Sequence, residues 1–336
     1  MRPQTALVLA ALAVVALLGG WYLGPGSEPA TAAFAEGRLA FPGLAAGLQH
    51  AARVEITHRG KTLTIEKHGP VWGVAERGDY PVRGDKLRRL LESLTELRLT
   101  TRLTNDPAQL PQLGLGDPHA AGTDSALLRV LDAAGKPIAA LVLGHQKYVG
   151  GDQPETIYVR RPGTNQAWVA TGGVAADADA GQWLDHDIVD IAPDAIKSVS
   201  VTTAGEHLQF TRHGDTLALT EPANAPPLDA DKLGDISRAL DHLRFADVQM
   251  GPTLPGAPAG QAAFTLNDGM VLTVTVNTAK NALWANFAAS GGERGAALQK
   301  RLHGWAYKLD PWQRDAFVPT LADLKAEKKA ASAAAQ

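Results

Sequence analysis

Positions Thr5 to Leu23 are apolar or small without interruption, and no polar face breaks the run. These nineteen residues, as helix at about 1.5 Å each, reach about 28 Å, close to the roughly 30 Å of a bilayer's hydrocarbon. Trp21 and Tyr22 close the run where an interfacial aromatic pair belongs, and Arg2 biases the short N-terminal flank toward the cytoplasm. The pattern predicts one N-terminal transmembrane helix, N-terminus cytoplasmic, with the bulk of the chain outside. Ala30-Thr31-Ala32 has the small-x-small form of a signal cleavage site, so a cleaved leader is the competing reading. Both readings export the remainder.

Beyond the tether the pattern changes to short alternating runs. Val54–Thr57, Thr62–Glu66 and Val71–Val74 predict strands, with turns at Arg59-Gly60 and His68-Gly69-Pro70. Leu87, Leu90, Leu91, Leu94 and Leu97 then fall at helical spacing, with Asp85 near the start as cap or first-turn acid. Strands follow at Leu99–Leu103, Leu127–Leu131, Ile138–Leu143, Thr156–Arg160 and Ala167–Ala170.

This order then repeats. Arg53-Val54-Glu55-Ile56-Thr57 matches Ser198-Val199-Ser200-Val201-Thr202, and Thr64 to Gly69 matches Gln209 to Gly214, at an offset of 145 residues. Asp85-Lys86-Leu87 returns as Asp231-Lys232-Leu233, and Leu94, Leu97 and Arg98 as Leu240, Leu243 and Arg244. A period this long indicates a duplicated domain and not a stacked array. The second copy predicts a helix over Asp231–Leu243, a hairpin at Asn267-Asp268-Gly269 between Phe264–Leu266 and Val271–Val276, a strand over Ala282–Ala288 and a closing helix over Ala296–Lys308. Hairpin turns join most strands, which disfavours parallel βαβ winding. The expected fold is α+β: two tandem copies of a mostly antiparallel β-sheet module with a packed helix, preceded by one transmembrane helix. The expected layout is a membrane anchor over 1–23, a flexible tether over 24–40, modules over 41–190 and 191–318, and a C-terminal helix or disordered tail over 319–336.

Charge and composition narrow the chemistry. The net charge of −3, with acids and bases interspersed, offers no basic stripe for phosphates, so nucleic acid is not an expected partner. The absence of cysteine removes disulfides, thiol catalysis and thiolate metal sites. Asp185-His186-Asp187 with Asp190 is the densest group of metal-ligand types, but neighbours on a strand point to opposite faces, and a polar linker with capping aspartates fits better. No H-E-x-x-H, G-x-S-x-G or phosphate-cradling loop occurs. No catalytic residue, cofactor or metal is therefore assigned; an exported hydrolase with acids converging in space ranks last. Trp72, Trp168, Trp183 and Trp284 are expected as packing anchors, and Trp305, Tyr307 and Trp312 as the candidate partner-contact patch.

Several short features occur together: Val71-Trp72-Gly73-Val74, Tyr80-Pro81, Leu113-Gly114-Leu115, Leu141-Val142-Leu143-Gly144, Tyr158-Val159-Arg160 and Gly304-Trp305-Ala306-Tyr307-Lys308-Leu309. Their order resembles the bacterial family called domain of unknown function 4340. That resemblance implies a protein held by one N-terminal helix in the inner membrane and associated with ABC-type export systems, including those like the gliding-motility transporter. It implies no catalytic residues. The expectation is a periplasmic, non-catalytic accessory protein, contacting the inner membrane through residues 5–23 and an integral-membrane transport partner. The alternative is an exported binding protein for a lipid, glycan or small molecule held between the modules.

Overall fold

Arg59 and Gly60 both adopt positive φ, 51° and 74°, the two-residue turn whose twist matches that of the strands it joins. It pairs β1 (Ala51–His58) with β2 (Lys61–His68) so that Val54 faces Ile65 and Ile56 faces Leu63, all four buried. The computed structural model describes residues 34–147, 155–251, 253–280 and 282–326. The expected anchor, the cleavage motif and most of the tether lie outside these residues. Among the described residues no helix is long and apolar enough to cross a membrane.

The chain divides into two compact units, the first ending at Trp183 and the second beginning at Leu184. In the first, a short helix α1 (Leu44–Gly47) precedes β1 and β2. There follow β3 (Val71–Val74), β4 (Tyr80–Pro81), helix α2 (Gly84–Glu96), β5 (Arg98–Arg102), β6 (Ala126–Asp132), β7 (Pro137–Lys147), β8 (Thr156–Arg160) and β9 (Ala167–Thr171). They form one nine-stranded sheet in the order β4-β3-β2-β1-β6-β7-β8-β9-β5, every neighbouring pair antiparallel. Leu87, Leu90 and Leu94 form the buried stripe of α2, as their spacing requires.

The second unit contains β10 (Asp187–Val189), β11 (Ile196–Thr203), β12 (Glu206–His213), β13 (Thr216–Glu221), helix α3 (Ala230–Arg238), β14 (Leu243–Arg244), β15 (Asp247–Met250), β16 (Ala257–Leu266), β17 (Val271–Ala279), β18 (Ala282–Ser290), helix α4 (Gly292–Leu302), β19 (Trp305–Leu309) and helix α5 (Arg314–Phe317). Its eight-stranded sheet runs β13-β12-β11-β16-β17-β18-β19-β15, while β10 and β14 pair separately. With β4 set aside, this is the strand order of the first unit.

The likeness extends to detail. The register of β1 on β6 shifts between Ala51 and Arg53, and that of β11 on β16 shifts between Ile196 and Ser198, 145 residues on. Each helix start is also tied to the end of its own unit in one way. The Arg83 N–H donates to the Trp183 carbonyl at 2.8 Å, and the Lys86 ammonium to the Gln182 carbonyl at 3.0 Å. In the second unit the Asp229 N–H donates to Leu324 at 2.9 Å, and Lys232 to Asp323 at 2.6 Å.

Three expectations are corrected. The helix expected over Ala296–Lys308 ends at Leu302, because Gly304 turns the chain at φ 85°; Trp305–Leu309 is a strand paired with β15 and β18. The helix expected over Asp231–Leu243 stops at Arg238, and Leu243 begins β14. The segment expected as a frayed tail stays packed through Lys325: Leu324 is buried, and Lys325 bridges Leu228.

Candidate functional site

On each unit a groove opens between the third strand and the helix. In the first unit it holds about 420 Å³, with Trp72 of β3 on one side, Leu87 and Leu91 of α2 on the other, and Leu48 closing one end. Arg88 and Glu92 form its polar rim. Lys67, opposite Trp72 in the ladder, holds its ammonium 6.0 Å from the indole.

The second unit's groove is larger, about 750 Å³, between β13 and α3. Leu217, Leu219, Leu233 and Pro222 supply its apolar wall, and the helix presents Gly234 and Ser237 where α2 carries Arg88 and Leu91. The Arg238 guanidinium, also in the lining, lies over Gly234, where an added Cβ would come within 3.0 Å of its Nη1. The Ser237 hydroxyl is engaged, accepting from Arg212 at 2.8 Å.

The acidic stretch singled out in the sequence meets the C-terminal aromatics around residues 241–244. His242 sits with its Nδ1 3.3 Å from Asp190 and its Nε2 3.9 Å from Asp241. Asp190 also accepts the His242 backbone N–H at 3.1 Å, which holds this residue at φ 45°. These three groups offer ligand atoms within 4.8 Å of one another. The two carboxylates address different ring nitrogens, and Asp190 and His242 are exposed. The three groups form a surface cluster of one imidazole ring between two acids. His186 and Asp187 are committed elsewhere: the His186 ring meets the Phe245 carbonyl at 2.8 Å, and Asp187 pairs with Arg244 at 3.0 Å. Asp241 and His242 escaped notice in the sequence because a helix was expected to run through them.

Tyr307 is fully buried, packed between Phe245 and Phe287, so it belongs to no exposed patch; this corrects its expected role. Trp305 is half-buried in β19 beside Met250. Trp312 is 71% exposed and lines a smaller pocket of about 300 Å³ with His242 and Arg244. Of the other tryptophans, Trp168 and Trp183 are buried, and Trp72 and Trp284 half-buried.

Among the described residues the resolved carboxylate shifts are all downward. The Arg89 guanidinium, helped by Arg83, holds Asp85 below its ordinary value. Arg59 and His145 do the same for Asp124, and the Met270 N–H and Arg294 for Asp268. Acids held in this direction stay charged near neutrality and serve as ion-pair partners, not as proton donors.

Comparison with known proteins gives three findings. A UDP-N-acetylenolpyruvoylglucosamine reductase of Nocardia farcinica (strain IFM 10152) is 37% identical over 122 residues, which cover 33% of this chain and 29% of that protein. The chain therefore spans less than a third of the length of that relative. No solved structure matches the chain. The family model described as Domain of unknown function (DUF4340) matches residues 72–280, from the tryptophan of the first groove through β17, and stops before Gly304 to Leu309. Because that match covers more than half of its length, this chain belongs to the DUF4340 family.

Proposed function

We propose that this protein is a membrane-anchored, exported accessory protein that contacts partner polypeptides in an ABC-type transport assembly, and that its two units are copies of one module. Shared strand order, a register shift at the same place and the same tie between helix start and unit end support the duplication. Independent origins would have to meet all three. The apolar run at Thr5–Leu23, with its basic flank and interfacial aromatics, supports the anchor.

The observation that carries the partner-binding reading is the pair of grooves, one per unit at the same position, each walled by apolar side chains of a strand and a helix. Concave apolar surface with a polar rim is the usual setting for a docked segment. Extraction of native membranes in mild detergent tests the reading. The protein should co-purify with the permease or ATPase of a transporter. Recovery solely as a monomer, with no membrane partner captured by crosslinking, contradicts it.

A further inference from the structure

β13 ends its sheet, and its outer edge faces the larger groove. Its counterpart in the first unit is covered. β3 and β13 hold the same register on their neighbours: Val71 to Val74 pair with His68 to Ile65, and Thr216 to Leu219 with His213 to Phe210. Over β3 the chain returns as an extended segment. Tyr80 and Pro81 pair with Val74 and Gly73, the Asp79 N–H donates to Val74 at 3.0 Å, and the Val82 N–H to Trp72 at 2.9 Å. The passage is close enough that a Cβ on Gly73 would lie 2.4 Å from the Asp79 carbonyl oxygen.

The second unit differs at each of these points. Ala218 replaces Gly73, and Pro226-Pro227-Leu228 stand where the first unit has Tyr80-Pro81-Val82. Two consecutive prolines have no N–H to give a ladder. Leu228 instead bridges Lys325, and the Pro227 carbonyl accepts from the Ala326 N–H, which turns this segment toward the unit's own end. Among the described residues no strand pairs with the outer edge of β13, which lies beside the groove.

We propose that the edge of β13 takes an extended segment of a partner polypeptide as an added strand, with small apolar side chains toward α3 and basic residues at its ends. The extended form follows from the first unit, where the equivalent edge is filled by extended backbone. The small side chains follow from the Arg238 guanidinium, which lies over Gly234 on the helix side of the groove. The basic ends follow from charge: Asp215 precedes the strand and Glu221 ends it, both exposed, and neither carboxylate has a hydrogen-bond or ion-pair partner among the described residues. Main-chain bonds would supply affinity, and groove and charges the selectivity. This deepens the partner-binding reading and rests on it.

The test uses the full chain in mild detergent and the synthetic peptide Lys-Ala-Val-Ala-Val-Ala-Lys, capped at both ends. Binding should be saturable and should slow hydrogen exchange at the outward-facing amides of β13. Backbone N-methylation of the peptide, glutamates in place of its lysines, and the substitutions Asp215→Lys and Gly234→Arg should each weaken binding by about tenfold or more, because each removes one named contribution. Circular dichroism of each variant establishes that it folds. Equal binding of the N-methylated peptide, or of the glutamate-ended one, overturns the proposal. So does protection of β13 without peptide that vanishes on dilution, which makes the edge a contact between two copies, or that vanishes on deleting residues 327–336, which makes the chain's own end the occupant. Co-purification with a transporter is read separately, so failure here leaves the broader reading standing, and failure there leaves this edge testable.

Discussion

Gly73 and Ala218 hold the same register position on β3 and β13, yet the side chain allowed at each is set by what lies over it. At Gly73 an added methyl meets the backbone of Asp79, which cannot swing away as a flexible side chain would. Gly73→Ala should therefore destabilise the first unit by about 1–3 kcal/mol, the usual cost of forcing atoms into packed structure. The converse change, Ala218→Gly, removes only a methyl from an uncovered strand and should cost about 0.5–1 kcal/mol in backbone entropy. Urea denaturation of both variants checks the contrast, and equal costs would mean that cover does not distinguish the two strands. Nothing in the sequence around Gly73 announces this constraint, since its partner Asp79 is brought over it only by the fold.

At the scale of elements, much was legible in the pattern. The alternation in Val54–Thr57 and Thr62–Glu66, the leucine spacing of α2 and the Asn267-Asp268-Gly269 turn each impose a local geometry, and each appears where expected. Elements fixed by distant partners were not legible. Trp305–Leu309 is a strand because β15 and β18 lie on either side of it, and α3 is cut short because Leu243 is drawn into pairing with β10. The end segment was misjudged because its alanines and lysines suggest solvent, while one leucine and one aspartate dock it. Partial burial pushes the Asp323 carboxyl up, but hydrogen bonds from the Thr320 N–H and hydroxyl and the Arg314 charge outweigh it and hold the group below its ordinary 3.8. A folded-state value below the unfolded one gives stability that is present above 3.8 and lost as pH falls through the lower folded value. Asp323→Asn should cost about 1 kcal/mol at neutral pH and reduce the loss of stability on acidification. Urea midpoints between pH 7 and 3 measure this, and an unchanged acid limb would show that the docked end is not held by this carboxylate.

At the scale of the molecule, each unit leaves the space beside its third strand and helix open in its own way: the first covers the strand edge and keeps a groove over Trp72, and the second leaves the edge bare. The proposed duplication left its trace in the sequence as an offset of 145 or 146 residues, but the grooves were not visible there, because they are defined by where Tyr80-Pro81 and Pro226-Pro227 go. If these grooves are what a transporter partner contacts, a photoreactive amino acid placed in living cells at Leu91 or Ala223, one in each groove, should form adducts with a transporter subunit, while one at Lys136, on an exposed hairpin turn, should not. Adducts of equal yield from all three positions, or none from either groove, would contradict the account.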